Sequence, residues 1–244
     1  MEKSAAPAVS FSEKSTAAEH LVLMCASALF AGLTERDCRE IVSCSRARTF
    51  ARDEILFLQG QPVRNLILLE TGSVKLTQLS STGNEVLMWM SGTGEPVNVH
   101  AGLMTCNHTC SARAMERCRA LVWEYSRLQT LLSQFPLMRN NISRILNDRL
   151  QELEERFREV ATEKVARRLA LTLLRLVKHV GKPSEGGTEI SLTREELAQM
   201  TGTTLFTISR ILSKWAEKGF IRPRRESVVV NDQAMLESAS EDED

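Results

Sequence analysis

Between Phe50 and Glu124 the apolar residues fall in short runs or alternations, at residues 55–58, 66–70, 73–79, 85–90 and 120–123. Gly60, Gly72, Gly83 and Gly94 punctuate them at intervals of 12, 11 and 11 residues. Short strands with turn signals at that spacing predict an antiparallel barrel or sandwich. Ahead of this region, residues 1–22 are Ser/Ala-rich with mixed charges and read as a flexible arm. A short helical stretch over residues 26–30 and 33–42 follows, with Thr34 as an N-cap.

Near Pro136 the period changes, and proline suits a first helical turn. Ile142, Leu146, Leu150, Leu153, Phe157 and Val160 recur at intervals of 4, 4, 3, 4 and 3, while Arg149, Glu152, Glu154, Glu155 and Arg156 fill the other face. A 3/4 stripe on a charged helix is what a coiled-coil seam needs, so Ile142, Leu146, Leu150, Leu153 and Phe157 are expected at a dimer interface. The competing use of such a stripe is packing of the helix on its own barrel. A second helix is expected over residues 163–179, then a breaker-rich loop, Gly181-Lys182-Pro183-Ser184-Glu185-Gly186-Gly187. With a hinge between Val160 and Glu163, the chain divides into an arm (1–22), a β-barrel sensor domain (23–135), a dimerisation helix and hinge (136–162), a DNA-binding domain (163–231) and an acidic tail (232–244).

The DNA-binding assignment rests on a spacing. Thr193-Arg194-Glu195-Glu196 is a capping box, in which Thr193 can accept from the Glu196 amide and Glu196 can reach back. Leu197, Ala198 and Met200 follow, then Thr201-Gly202-Thr203, and a second helix is expected over residues 204–218. Two steeply crossing helices need a small residue where they touch, a turn residue tolerant of positive φ and an apolar residue facing back. Ala198, Gly202 and Ile208 meet these needs at intervals of 4 and 6, with Leu197 and Ile211 adding core contacts. Beyond Gly219-Phe220-Ile221, the segment Arg222-Pro223-Arg224-Arg225-Glu226-Ser227 and Val228-Val229-Val230 read as a β-hairpin with a cationic tip, a wing that can lie along a phosphate backbone.

With the second helix in the major groove, Thr203, Thr204, Phe206, Ser209 and Arg210 are expected to face DNA, and Arg222, Arg224 and Arg225 to meet it from the wing. Arg210 suits guanine O6/N7, and Phe206 a thymine methyl or a phosphate neighbour. Leu212 and Trp215 are assigned to the core.

Charge sharpens this picture. The formal net charge is zero, yet residues 163–230 carry 13 Lys/Arg against 7 acids, and residues 232–244 carry 6 acids and no base. A segment fit to bind a polyanion precedes an acidic end that reads as disordered and solubilising. At 244 residues there is room for two domains. The apolar runs are too short to span a bilayer and the start lacks a signal-peptide core, so a cytoplasmic protein with no membrane partner is expected. The six cysteines, Cys25, Cys38, Cys44, Cys106, Cys110 and Cys118, are then expected reduced, each as a small buried hydrophobe.

In the order of its parts the chain resembles the Crp/Fnr family of transcriptional regulators, over about residues 29–231. The most specific match is Leu192-Thr193-Arg194-Glu195-Glu196-Leu197-Ala198 with Thr207-Ile208-Ser209-Arg210-Ile211-Leu212. The resemblance implies an α+β two-domain fold: an antiparallel β jelly-roll sensor of the cyclic-nucleotide-binding type, a long dimerisation helix and a C-terminal winged helix-turn-helix. It further implies a homodimer on a two-fold symmetric operator in double-stranded DNA, control from the barrel by a small-molecule or redox effector, and contacts to RNA polymerase.

The resemblance has two departures. Many members carry an Arg-Glu pair ahead of the Thr-Ile-Ser-Arg run, where this chain has Leu205-Phe206. Cyclic-nucleotide-binding members carry an arginine ahead of a Ser/Thr-Ala pair, because a buried phosphate needs a guanidinium fork. Here Cys110 precedes Ser111-Ala112, so a cyclic nucleotide is not the expected effector.

Candidate effector-pocket residues are His100, Asn107, His108, Thr109, Cys110 and Ser111. His100 falls where carbon-monoxide sensors of the family place a haem ligand, but those proteins also ligate through an N-terminal proline, and Glu2 follows Met1 here. His100, Cys106 and Cys110 are the metal candidates, in a thiol or haem sensor that stands as an alternative. Cys25, Cys38 and Cys44 lie 13 and 6 residues apart, too wide for an iron–sulfur motif, and no cofactor is assigned. No nucleophile triad or phosphate-cradling glycine loop is present, so an enzyme is not expected. A dimeric sensor or scaffold without DNA binding is the remaining class, and it leaves the Ala198/Gly202/Ile208 spacing and the basic wing unexplained.

Overall fold

A computed structural model describes residues 27–81, 83, 85–99 and 107–239. Among the described residues seven strands build the N-terminal domain: β1 (Arg46–Phe50), β2 (Ile55–Phe57), β3 (Asn65–Thr71), β4 (Val74–Leu79), β5 (Glu85–Ser91), β6 (Ser111–Ala114) and β7 (Cys118–Glu124). They form two antiparallel sheets, ordered β1-β7-β3 and β2-β6-β4-β5. Strand β3 reads as a continuous apolar run because both of its faces are covered. Ile67 and Leu69 enter the core between the sheets with Phe50, Leu76 and Val122, whereas Leu66 and Leu68 face a helical layer with Phe30, Ile41 and Leu128.

That layer consists of α1 (Glu35–Ser43), α2 (Tyr125–Gln134) and the first turns of α3 (Pro136–Thr162). Thr34 caps α1 as expected: its Oγ1 accepts from the Asp37 amide at 3.2 Å, and Asp37 Oδ2 accepts from the Thr34 amide at 3.1 Å. Pro136 opens α3, and Ile142 corrects the expected seam. Its side chain is fully buried in the sensor's own core, beside Met138, and the neighbouring Asn141 amide donates to the Leu29 and Ala31 carbonyls. The start of α3 therefore packs on the barrel, and Leu150, Leu153, Phe157 and Val160 carry the exposed part of the stripe.

Glu163 and Lys164 are extended and separate α3 from α4 (Val165–Val180). The expected loop at 181–187 is instead a hairpin of β8 (Lys182–Ser184) and β9 (Gly187–Ile190). Its glycines supply the turn rather than break the strands, and β9 pairs with the wing. Helices α5 (Arg194–Thr201) and α6 (Leu205–Glu217) and strands β10 (Ile221–Pro223) and β11 (Val228–Val230) complete the winged helix, with sheet order β10-β11-β9-β8. Residues in the acidic end form α7 (Gln233–Ala239), whose Leu236 is fully buried in the same core as Leu173, Leu197 and Trp215. Its first half is therefore structural. No helix among the described residues is long and apolar enough to cross a membrane.

Candidate nucleic-acid interface and sensor site

The reading head is set by its caps. Thr193 Oγ1 accepts from the Glu196 amide at 3.2 Å and Glu196 Oε2 accepts from the Thr193 amide at 2.9 Å, closing the predicted capping box on α5. Gly202 ends α5 at φ +61, a left-handed position that favours glycine. The Thr203 amide then returns to the Ala198 carbonyl at 3.0 Å, and Thr204 caps α6 by accepting from the Thr207 amide at 3.2 Å.

Ile208, Ile211, Leu212 and Trp215 fix the buried face of α6. At 3.6 residues per turn Phe206 and Arg210 fall on the opposite side, one turn apart. Phe206 is 78 % exposed, and Arg210 is exposed with no hydrogen bond or ion pair among the described residues.

The other expected contacts are more committed. Thr203 is half-buried in the turn, the Thr204 hydroxyl is engaged by Thr207, and Ser209 accepts from Arg194 at 3.4 Å. In the wing, Arg222 is tied to the Glu185 carbonyl and to Asn231, and Arg224 pairs with Glu189 at 2.9 Å. The Ser227 hydroxyl and Arg224 together hold the Glu189 carboxyl below its usual range. Arg225 is exposed and forms no ion pair among the described residues.

In the sensor the predicted residues do not converge. His100 and Cys106 lie outside the described residues. His108 is buried, stacked on Phe57 with ring centroids 3.7 Å apart, and lines a cavity of about 370 Å³ with Gln61, Arg64, Asn65 and Asn98. Asn107 bridges to Pro62, the Thr109 carbonyl accepts from Gln78, and Ser111 Oγ accepts from the Gln59 amide. Cys110 is half-buried, and burial pushes its thiol above the usual range. Among the described ones of these residues, His108 alone lines this cavity, and it lies in the segment ahead of β6 rather than on the strand.

Sequence reasoning missed the junction between the domains. Arg149, Glu152, Arg156 and Glu159 lie on α3 one position ahead of the exposed stripe, and they face inward. Arg149 donates to the Pro96 carbonyl at 2.8 Å, Arg156 to the Met88 carbonyl at 2.6 Å, and Arg175 forms a two-pronged pair with Glu159 at 2.7 Å on each arm. His179, at the end of α4, bonds Glu95 at 2.6 Å and lies 3.5 Å from Glu152. Glu152 and Glu95 raise its pKa to about 9. Gly92 permits this approach, since a Cβ there would collide with the His179 carbonyl. The recoverable signal was the 3/4/3 spacing of Arg149, Glu152, Arg156 and Glu159, a second stripe beside the apolar one.

The profile of the Crp-like helix-turn-helix domain matches residues 167–239, and that of the cyclic nucleotide-binding domain matches residues 47–135. A CRP-like cAMP-activated global transcriptional regulator of Mycobacterium tuberculosis is 26% identical over 189 residues, 77% of this chain and 84% of that protein. A cyclic AMP receptor protein of Thermus thermophilus is 28% identical over 211 residues, 86% of this chain and 95% of that protein. Among solved structures, the c-di-GMP responsive global regulator CLP of Xanthomonas campestris has a TM-score of 0.67 at 23% identity, over 82% of this chain and 100% of that one. With sensor roll, long helix and winged helix in this order, and both domain profiles on the matching segments, the chain belongs to the Crp/Fnr family of transcriptional regulators.

Proposed function

We propose that the protein works in the cytoplasm as a homodimer reading a two-fold symmetric operator, a binding protein rather than an enzyme, with a signal at the sensor setting the pose of its two reading heads. The observation that carries this reading is the outer face of α6, where Arg210 is exposed and has no partner among the described residues, opposite a fully committed core. Phe206 and Arg210 meet base edges, Thr203, Thr204 and Ser209 flank them, and Arg225 follows the phosphates with Arg222 and Arg224 bracing the wing. The exposed stripe at Leu150, Leu153 and Phe157 joins the two copies, Leu146 lies at its inner edge, and the bound dimer contacts RNA polymerase.

The relatives named for cyclic AMP lend the sensor its role but not its ligand. A half-buried, protonated Cys110 stands where the resemblance calls for a phosphate-pairing arginine. The effector is therefore a small molecule or redox signal of another kind.

Binding-site selection from random duplexes tests the reading. Arg210→Ala is expected to relax preference at one base pair per half-site, a bidentate guanine contact being worth about 1–3 kcal/mol of discrimination. An unchanged selected sequence would refute this docking of α6.

A further inference from the structure

We propose that Phe206 reads the 5-methyl group of a thymine, so that each half-site pairs a methyl-bearing pyrimidine with the guanine taken by Arg210. This inference rests on the DNA-reading assignment and concerns what that face recognises.

Four observations converge. Phe206 lies opposite Ile208, Ile211, Leu212 and Trp215, so its ring has no place in the domain core and is 78 % exposed. Leu205, beside it, is 52 % exposed, which makes the first turn of the reading helix apolar. The nearby hydroxyls are occupied within the domain: Thr204 and Thr207 bond each other, and Ser209 takes Arg194. Arg210 follows one turn later on the same face, its guanidinium without a partner among the described residues.

The chemistry of the major groove then narrows the partner. A·T is the base pair that offers an apolar group there, the thymine methyl, and a phenyl ring has neither donor nor acceptor for the other edges. The four residues from Phe206 to Arg210 advance about 6 Å along the helix, and base pairs stack about 3.4 Å apart, so the methyl falls one or two base pairs from the guanine. A ring offered to phosphates instead would give no base preference.

The test uses full-length protein. A half-site is first selected from random duplexes, and the Arg210 guanine is located by the preference lost in Arg210→Ala. Each thymine is then replaced by deoxyuridine, which removes the methyl and leaves base pairing intact. One thymine, one or two base pairs from that guanine, is expected to weaken wild-type binding about fourfold per half-site when demethylated, the equivalent of about 0.8 kcal/mol at about 1.4 kcal/mol per tenfold. Phe206→Ala, which removes an exposed ring and spares the fold, is expected to bind the two duplexes equally. At the same position, 5-methylcytosine should bind wild type better than cytosine.

Affinity indifferent to deoxyuridine at every thymine overturns the methyl assignment while leaving DNA reading intact. So does a Phe206→Ala defect equal on all sequences. If wild-type protein selects no sequence, the DNA-reading assignment itself falls and takes this inference with it.

Discussion

At the wing tip two neighbouring arginines face different costs on meeting DNA. Arg224 is paired with Glu189, which is further held by the Ser227 hydroxyl, so a phosphate would have to replace an existing partner. Arg225 has no such partner among the described residues and can neutralise a phosphate outright. Arg225→Ala is expected to weaken all sites about equally and to flatten the dependence of log affinity on log salt by roughly one; Arg224→Ala should change that slope less. A salt series with both variants checks the contrast. His179 offers a titration at the same scale. Its folded pKa of about 9 lies above the ordinary value near 6.5, because Glu152 and Glu95 favour the imidazolium. A raised pKa in the folded state contributes stability that is complete below about 6.5, falls as pH rises, and is gone once pH passes 9. The urea midpoint at fixed protein concentration should therefore drop between pH 6.5 and 9 by more in wild type than in His179→Gln; parallel curves would show that the contact contributes nothing to stability.

Along α3 the helix proposed to join the two copies also packs on its own sensor, and the changeover falls near Leu146. Ile142 sits in the sensor core, and Ile142→Ala is expected to cost about 2–5 kcal/mol through lost burial and an unfilled cavity, read as a lower denaturation midpoint. Leu150 is 53 % exposed in a single chain, so Leu150→Glu should leave the monomer's fold intact and release monomers in sedimentation. An unchanged dimer would remove the stripe from the interface. The apolar period predicted the helix and its stripe but not where the barrel ends, because packing on oneself and packing on a second copy demand the same residues. Strands β1 and β6 are silent in the sequence for a different reason. Arg46, Ala47, Arg48 and Thr49 make an exposed edge, and Ser111-Ala112-Arg113-Ala114 buries only two alanines, so neither strand carries a strong apolar alternation. The capping box and the Ala198/Gly202/Ile208 spacing were legible because local hydrogen bonds and one positive φ fix them. The sensor site was not, since its walls come from β2, β3 and the segment after β5, brought together by topology alone.

At the scale of the molecule, the DNA-binding domain is docked on the sensor by a small apolar plug within a rim of ions. Leu87 and Met90 of β5 enter the winged-helix core, and around them Lys75 pairs with Glu196 at 2.7 Å, Arg52 with Glu226 at 3.1 Å, and Lys182 with Glu116. These contacts differ in weight. Arg52 and Glu226 are both largely exposed, and a surface pair of this kind is worth about 0–1 kcal/mol. Lys75 and Glu196 are mostly shielded, and Glu196 is also the residue that closes the capping box. Burial alone would raise the Glu196 carboxyl, but Lys75 and the Thr193 amide hold it below its usual range, so it remains charged where the sensor meets the reading head. Removing the lysine leaves that charge half-desolvated against the sensor, and the relief open to it is separation of the domains at the extended residues Glu163 and Lys164. Lys75→Ala is therefore expected to speed tryptic cleavage after Lys164 while helix content stays unchanged, because the capping box lies wholly within the winged helix. Lys75→Arg should retain most of the protection. Cleavage at the wild-type rate in Lys75→Ala would mean that the Leu87 and Met90 plug alone sets the docking, and Leu87→Asp would then be the variant that frees the hinge.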